Sequence, residues 1–204
     1  TVGVSPNDVK ESIEETEIEI KKIEEILKSE IENKKIVAIG EIGLDYYWNK
    51  ENKEIQKYAF IEQIKLANKY NLPIVIHTRE AVMDTLDILK NVQAANKKGI
   101  FHCCPLNREL VKEALKLDFY ISFAGPVTFK NAKNAEEIVQ MVPLEKALIE
   151  TDSPYLTPEP KRGTRNDSRN VKLIAQKIAD FKGITIEEVA KATYKNAMKI
   201  FNIK

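Results

Sequence analysis

The chain has 204 residues, of which 43% are hydrophobic and 31% charged, and its formal net charge is +1. The length and composition predict one globular domain (residues 1–204). The sequence contains no run of roughly eighteen or more apolar residues that would span a membrane. The net charge excludes a strongly basic surface that coats nucleic acids. The N-terminus shows no secretion signal, and the two cysteines, Cys103 and Cys104, are adjacent. We therefore expect a reduced protein of the cytoplasm.

Apolar, strand-like runs alternate with amphipathic helical runs along the chain. The first strand is predicted at residues 2–4, and a helix follows with apolar side chains at helical spacing from Ile13 to Leu27. Asp8 and Glu11 predict a capping box at its start. Further strands are predicted at 36–43, where the apolar run stops at Gly40, and at 73–77, 99–104, 119–125 and 147–152. Further helices are predicted at 55–70, 81–95, 108–116, 134–141, 168–182 and 185–202.

This alternation of strands and helices predicts right-handed βαβ units and a parallel sheet. A doubly wound sheet and a TIM (β/α) barrel both fit the pattern. The positions of the polar residues favour the barrel, because Glu41, His77, His102 and Asp152 each stand at the predicted carboxyl end of a different strand. In a barrel those ends converge on one mouth, where catalytic groups collect.

The number of strands is smaller than a closed barrel needs. A complete barrel takes about 250 residues, or about 30 for each βα unit. The predicted six strands are therefore about two N-terminal units short, and an open arc would expose two strand edges. The chain also begins with Thr1 rather than Met. We expect the missing units to lie upstream, although a second chain that closes the barrel is an alternative.

The four polar residues at strand ends are also a plausible set of metal ligands. One His after a strand is as readily a structural residue as a ligand, but His77 and His102 are both so placed, in company with Glu41 and Asp152. Carboxylate and imidazole ligands suit Zn²⁺, Mn²⁺ or Mg²⁺. One or two such cations can activate water and clamp a phosphoryl group. The sequence therefore predicts a divalent metal site.

Four motifs give the chain a family resemblance. GEIGLDYY, PIVIHTREA, FHC and ETDSPYLTPEPKRGTRN occur in this order and at this spacing. Together they resemble the TatD family of metal-dependent deoxyribonucleases, from TVGVSP to the C-terminal helix. The resemblance implies a TIM-barrel fold, one or two divalent cations, and hydrolysis of phosphodiester bonds in DNA, often from the 3′ end. Single-stranded DNA or DNA ends are then the expected substrate of a monomeric enzyme.

The resemblance also implies a role for each matching residue. Glu41 is the carboxylate shared between two metals, and His77 and His102 bind one of them. Asp152 binds the other metal and is the base toward the attacking water. Of the neighbours, Asp45 orders the Glu41 loop, together with Tyr46, or else holds a ligand in place.

Four further residues match positions that would bind substrate. Arg79, two residues after His77, is placed to meet a phosphate, with a surface salt bridge as its alternative. Arg162, Arg165 and Asn166, together with Gly163, match the loop after the last strand. That loop either binds phosphate or pins the last helices to the barrel.

The chain departs from the family pattern in several places. It has no His-x-His pair, which in the family supplies two ligands beside Asp152. Ser5 and Asn7 stand where histidines are common, the turn at 103–107 lacks a Ser-Gly pair, and Lys161 replaces a frequent His. Two alternatives therefore stay open. One is a hydrolase for other esters or amides on the same barrel, such as the ester of D-aminoacyl-tRNA, and the other is an inactive metal-binding remnant.

Overall fold

The computed structural model describes residues 1–30, 33 and 35–203. Its internal contacts divide the chain into two compact units, the first formed by Thr1–Phe101 and the second beginning at His102. Within the described ranges, no helix combines the length and the apolar character needed to cross a membrane. The expectation of a single domain stays a prediction.

The first unit consists of three parallel strands and the helices that connect them. Its elements are α1 (Ile13–Glu30), β1 (Ile39–Asp45), α2 (Lys53–Lys69), β2 (Ile74–Arg79), α3 (Val82–Asp87) with a π-helical turn at Ile88–Val92, and β3 (Gly99–Phe101). β2 pairs in parallel with β1 on one side and with β3 on the other. Helix α2 packs on β1 and buries Phe60 and Ile64 completely. The predicted alternation of strands and helices is thus confirmed in this half of the chain.

The second unit repeats the alternation with two parallel strands. Its elements are α4 (Arg108–Lys116), β4 (Tyr120–Phe123), α5 (Ala135–Met141), β5 (Ala147–Ile149), α6 (Val171–Lys182) and α7 (Ile186–Ile200). β4 and β5 pair in parallel. Two of the helices begin at polar caps: the Asn107 side chain accepts from the backbone of Leu110, and Thr185 forms a capping box with Glu188.

The prediction of a strand at residues 2–4 is wrong for most of its length. Val2 forms an isolated parallel bridge with Ile39, and the chain then leaves the sheet. The cause is Gln63 of α2, whose side chain donates to the carbonyl of Val4 at 3.0 Å and accepts from its N–H at 2.6 Å. These two hydrogen bonds satisfy backbone groups that a longer strand would have paired.

The predicted end of the first long strand is also corrected. β1, predicted at 36–43, begins only at Ile39 and continues through Glu41 to Asp45, with a register shift between Gly40 and Ile42. This β-bulge turns Glu41 to the exposed side while both neighbours stay buried. Conversely, the strands predicted to reach residues 104 and 152 end earlier, at Phe101 and Ile149.

The glycines beside Glu41 serve close strand packing rather than a turn. A Cβ atom on Gly40 would lie 2.4 Å from the Cβ of Val75, and one on Gly43 would lie 2.0 Å from the carbonyl oxygen of His77. Gly43 also has a φ of +138°, which residues with side chains rarely adopt. These glycines therefore let β1 and β2 approach each other where the polar residues lie.

The cap predicted for α1 is wrong as well. The helix begins at Ile13, after Ser12, whose hydroxyl accepts a hydrogen bond from the N–H of Glu15 at 3.1 Å. Asp8 and Glu11 lie before the helix and do not cap it. The sequence S-x-x-E at residues 12–15 carries the same signal as the pattern at 8–11, and only the structure distinguishes them.

Candidate metal centre

Three predicted ligands lie close together in space. Glu41 lies on the bulge of β1, His77 lies within β2, and His102 directly follows β3. One potential ligand atom from each of these residues lies within 4.8 Å of the other two. A carboxylate oxygen and two imidazole nitrogens are a donor set that fits a divalent cation such as Zn²⁺ or Mn²⁺.

The orientation of His77 is set by a buried carboxylate. Its Nε2 lies 3.0 Å from Oδ2 of Asp45, and its Nδ1 lies 3.9 Å from Oε2 of Glu41. A carboxylate beside one ring nitrogen favours the proton on that nitrogen. Nδ1 is then the nitrogen that carries the lone pair toward Glu41. Of the two roles predicted for Asp45, these contacts favour the one in which it holds a ligand in place.

Asp45 connects His77 to the chain that follows β1. Its Oδ1 accepts hydrogen bonds from the backbone N–H groups of Tyr47 at 2.9 Å and Trp48 at 3.1 Å. Asn7, which stands where the family often has His, donates to Oδ2 at 3.3 Å. Burial alone would raise the pKa of Asp45, but the hydrogen bonds from Trp48, His77, Asn7 and Tyr47 together hold its pKa below the usual value. Asp45 is therefore an ionised carboxylate that holds His77 and the turn after β1.

His102 has a carboxylate partner that the sequence did not reveal. Oε1 of Glu150 lies 3.0 Å from Nδ1 of His102 and also accepts from the N–H of Cys103. The opposite nitrogen, Nε2, is the one that faces Asp152, at 3.7 Å from its Oδ1. His102 is thus held through Nδ1, whereas His77 is held through Nε2. The available signal was a second carboxylate two residues before Asp152, in the stretch ETD.

Asp152 lies in the loop that follows β5. Its φ of 57° is in the left-handed region, which Asp tolerates better than most residues with a side chain. The loop is closed by the N–H of Tyr155, which donates to the carbonyl of Asp152 at 2.9 Å. Its carboxylate approaches His102 within the second unit, and its roles as ligand and base stay predictions.

Arg79 ends β2 and stacks on aromatic side chains. Its guanidinium carbon lies 3.8 Å from the centre of the Tyr47 ring and 5.5 Å from that of Trp48. Arg79 is exposed, and among the described residues it makes these cation–π contacts rather than the salt bridge that was its alternative. Stacking uses the face of the guanidinium and leaves its N–H edges directed outward, where they can donate to a phosphate.

The loop after β5 contains one structural and two exposed candidates. Asn166 is buried, and its Nδ2 donates to the carbonyls of Thr151 and Tyr155, both at 2.7 Å. Those bonds hold the loop together, and the predicted pinning of the last helices to the barrel stays a prediction. The guanidinium of Arg162 lies 3.9 Å from the Phe129 ring centre, and Arg165 is exposed. Phosphate binding by these arginines stays a prediction.

The comparison with protein families decides the assignment. The family described as TatD related DNase matches residues 1–202. The chain belongs to this TatD family. The motifs that carried the resemblance lie within the matched region, and the three clustered ligands belong to them.

Two relatives of this TatD family member are described as metal-dependent hydrolases. The uncharacterized metal-dependent hydrolase YabD of Bacillus subtilis is 48% identical over 202 residues, which is 99% of this chain and 76% of YabD. YcfH of Escherichia coli K12, described in the same words, is 43% identical over 168 residues, 82% of this chain and 63% of YcfH. The chain thus spans 63% to 76% of the length of these relatives, both of which are described as metal-dependent hydrolases.

A solved structure supports the fold. YjjV, a TatD homologue from Escherichia coli K12, matches with a TM-score of 0.90 at 24% identity, over 100% of this chain and 76% of its own. The parallel strands and their connecting helices are consistent with the expected TIM-like α/β fold. The two additional N-terminal βα units stay a prediction.

Proposed function

We propose that this TatD family member hydrolyses phosphodiester bonds in DNA, acting on single-stranded DNA or DNA ends and releasing nucleotides from the 3′ end. The observation that carries the proposal is the position of Arg79 on β2, two residues after His77 of the Glu41, His77 and His102 cluster. A cation bound by the cluster and a nearby guanidinium suit a substrate whose reacting group is an anionic phosphate.

In the proposed reaction, different residues of this chain have different roles. Glu41, His77 and His102 would hold the cation, and Glu41 with Asp152 would hold the second cation that the family resemblance implies. A divalent cation in such a site lowers the pKa of a water molecule and offsets negative charge on phosphate oxygens. Asp152 accepts the proton of the attacking water, and Arg79 donates hydrogen bonds to a non-bridging oxygen of the phosphate.

Asp45 and Glu150 support this arrangement from behind the histidines. Each accepts a hydrogen bond from the ring nitrogen that does not face the other ligands, which fixes the ring and raises the basicity of the coordinating nitrogen. His77 and His102 are then oriented before the cation binds. Such preorganisation is needed because small misplacements of catalytic groups slow reactions strongly.

A nuclease assay with end-labelled single-stranded DNA tests the proposal. The protein is incubated with a 5′-labelled strand and Mg²⁺, Mn²⁺, Zn²⁺ or EDTA, alongside Glu41→Gln and the control Glu51→Gln, which changes an exposed carboxylate outside the cluster. We expect a ladder of progressively shorter labelled strands with metal and none with EDTA. Glu41→Gln should reduce the rate at least about a hundredfold, because a cation ligand is lost.

The same assay contains the results that contradict the proposal. Immediate release of labelled mononucleotide would show digestion from the 5′ end and overturn the direction. An intact strand with every metal, from protein with a native circular dichroism spectrum, would overturn the nuclease proposal. Equal rates for Glu41→Gln and the unmodified protein would place catalysis outside the cluster.

A further inference from the structure

Beside the candidate metal centre, two large aromatic side chains face solvent. Trp48 is 69% exposed and Tyr47 is 44% exposed, and both lie in the turn after β1. Their ring centres are 4.8 Å apart with an interplanar angle of 89°, an edge-to-face pair. Single exposed aromatic residues are common, but contiguous exposed apolar patches often mark binding sites.

The turn that carries these rings is held firmly from both ends. The Asp45 carboxylate accepts from the N–H groups of Tyr47 and Trp48. The buried Gln56 side chain of α2 donates to the carbonyls of Asp45 at 3.1 Å and Asn49 at 3.0 Å. The two rings are therefore presented by an ordered backbone, which lowers the entropy lost when a ligand binds.

One carboxylate ties the aromatic pair to the metal ligands. Oδ1 of Asp45 holds the backbone of Tyr47 and Trp48, while Oδ2 lies 3.0 Å from Nε2 of His77. Arg79 completes the group from β2, with its guanidinium over the Tyr47 ring. An aromatic surface, a cation and a metal ligand thus lie within one short network of contacts.

We propose that Trp48, braced by Tyr47 and Arg79, is a stacking platform for a nucleobase of single-stranded DNA. The inference rests on the proposed function and names the part of the substrate that is recognised. In it, Arg79 meets a phosphate of the strand and the indole face of Trp48 stacks on an adjacent base. Stacking accepts any base, because every base has a π-face, so the platform recognises an unpaired strand rather than a sequence. In a duplex the base faces are covered by their neighbours, which gives a preference for single strands and frayed ends.

The chain offers a direct spectroscopic test, because Trp48 is its single tryptophan. Trp48 fluorescence is titrated in EDTA, so that no cleavage occurs, with a thymidine strand of about ten nucleotides and with an abasic strand of equal length. Both strands carry the same phosphates, and only the first carries bases. We expect saturable quenching by the thymidine strand and little or none by the abasic strand. Equal quenching by both would overturn the platform, as would quenching by neither.

Variants provide a second readout through the fluorescence anisotropy of a dye-labelled thymidine strand. Trp48→Ala should weaken binding about tenfold or more, in the range measured when a stacked aromatic residue is removed. The matched control is Tyr194→Ala on α7, a ring that is 67% exposed. It should leave the affinity unchanged. Equal effects of the two variants, or no effect of Trp48→Ala, would contradict the proposal.

The outcomes for the platform and for the nuclease are distinguishable. Base-dependent quenching without cleavage by the metal-loaded protein would keep the platform and reject the nuclease. Cleavage without base-dependent quenching would keep the nuclease and reject the platform. Because Trp48 and Tyr47 are not metal ligands, their variants retain the cluster of Glu41, His77 and His102.

Discussion

The contact between Glu150 and His102 was not predicted from the sequence. It leads to a prediction about the affinity of the protein for metal. Its carboxylate lies 3.0 Å from Nδ1 of His102. Glu150→Gln retains an oxygen that can accept from this nitrogen but removes the negative charge. Because outer carboxylates raise the basicity of a coordinating His, we expect metal affinity to fall about tenfold to a hundredfold.

Competition with a chromophoric chelator measures this affinity for Zn²⁺ or Co²⁺ without any substrate. Glu145→Gln is the matched control, since Glu145 is an exposed carboxylate five residues earlier in the chain. It should bind metal as the unmodified protein does. An unchanged affinity in Glu150→Gln would show that this carboxylate serves only the loop, through its bond from the N–H of Cys103.

The adjacent cysteines predict different chemical reactivity. Cys104 is buried, and burial together with the charge of Glu150 raises the pKa of its thiol. Only the thiolate is nucleophilic, so Cys104 should react with a thiol reagent at neutral pH very slowly in the folded protein. Cys103 is partly accessible and should react first. In Cys103→Ala, we expect native labelling to fall nearly to zero and to return in denaturant. Rapid labelling of that variant under native conditions would contradict the buried position of Cys104.

At the scale of elements, β1 depends on Gly43 for its approach to β2. A Cβ there would lie 2.0 Å from the carbonyl oxygen of His77, at a φ of +138°. Gly183, the C-cap of α6, also has a positive φ, +67°, but has nothing within 4 Å of the same position. Gly43→Ala should therefore lower the free energy of unfolding by about 2 kcal/mol or more, and Gly183→Ala by about 1 kcal/mol.

Urea denaturation measures the loss of stability in both variants. Ala can adopt the left-handed φ of Gly183 at modest cost, whereas the φ of Gly43 is essentially restricted to glycine, so the excess loss in Gly43→Ala reports this strain together with the conflict with β2. The substitution Gly43→Ala should also weaken metal binding, since Gly43 pairs with His77 across the two strands. Equal losses in the two variants would show that β1 shifts to accept the methyl group at little cost.

The element that carries Glu41 also shows where sequence reasoning succeeds and where it stops. A strand was predicted at 36–43, and the structure has one at Ile39–Asp45. Its continuation past Gly43 to Asp45 was not predicted, because glycine and aspartate both disfavour a strand. Pairing with β2 overrides that local preference, and the bulge admits an exposed carboxylate. Local propensity cannot report a partner strand that lies more than thirty residues away in the chain.

At the scale of the whole chain, the order of helices and strands could be predicted from the sequence. The contacts between side chains could not. The period of the apolar residues placed α4 at Arg108–Lys116, as observed, because that pattern is local. Glu41, His77 and His102 were found because each follows or interrupts an apolar strand. Glu150 was missed, since a second carboxylate near Asp152 has no periodic signature. The departure at Asn7 gained a physical meaning only from its contact with Asp45.

Metal removal gives a prediction about the stability of the whole protein. A ligand that binds only the folded state stabilises it by RT ln(1 + [L]/Kd), about 2.7 kcal/mol at a hundredfold excess of free metal over Kd. Addition of Zn²⁺ or Mn²⁺ to metal-free protein should therefore raise the melting temperature by several degrees, and EDTA should reverse the shift. Calorimetry measures both. In Glu41→Gln the shift should be much smaller, because the cluster loses a charged donor, whereas Glu51→Gln should retain it. If the melting temperature of Glu41→Gln rose by the same amount, the stabilising cation would bind elsewhere. The cluster of Glu41, His77 and His102 would then not be the metal centre.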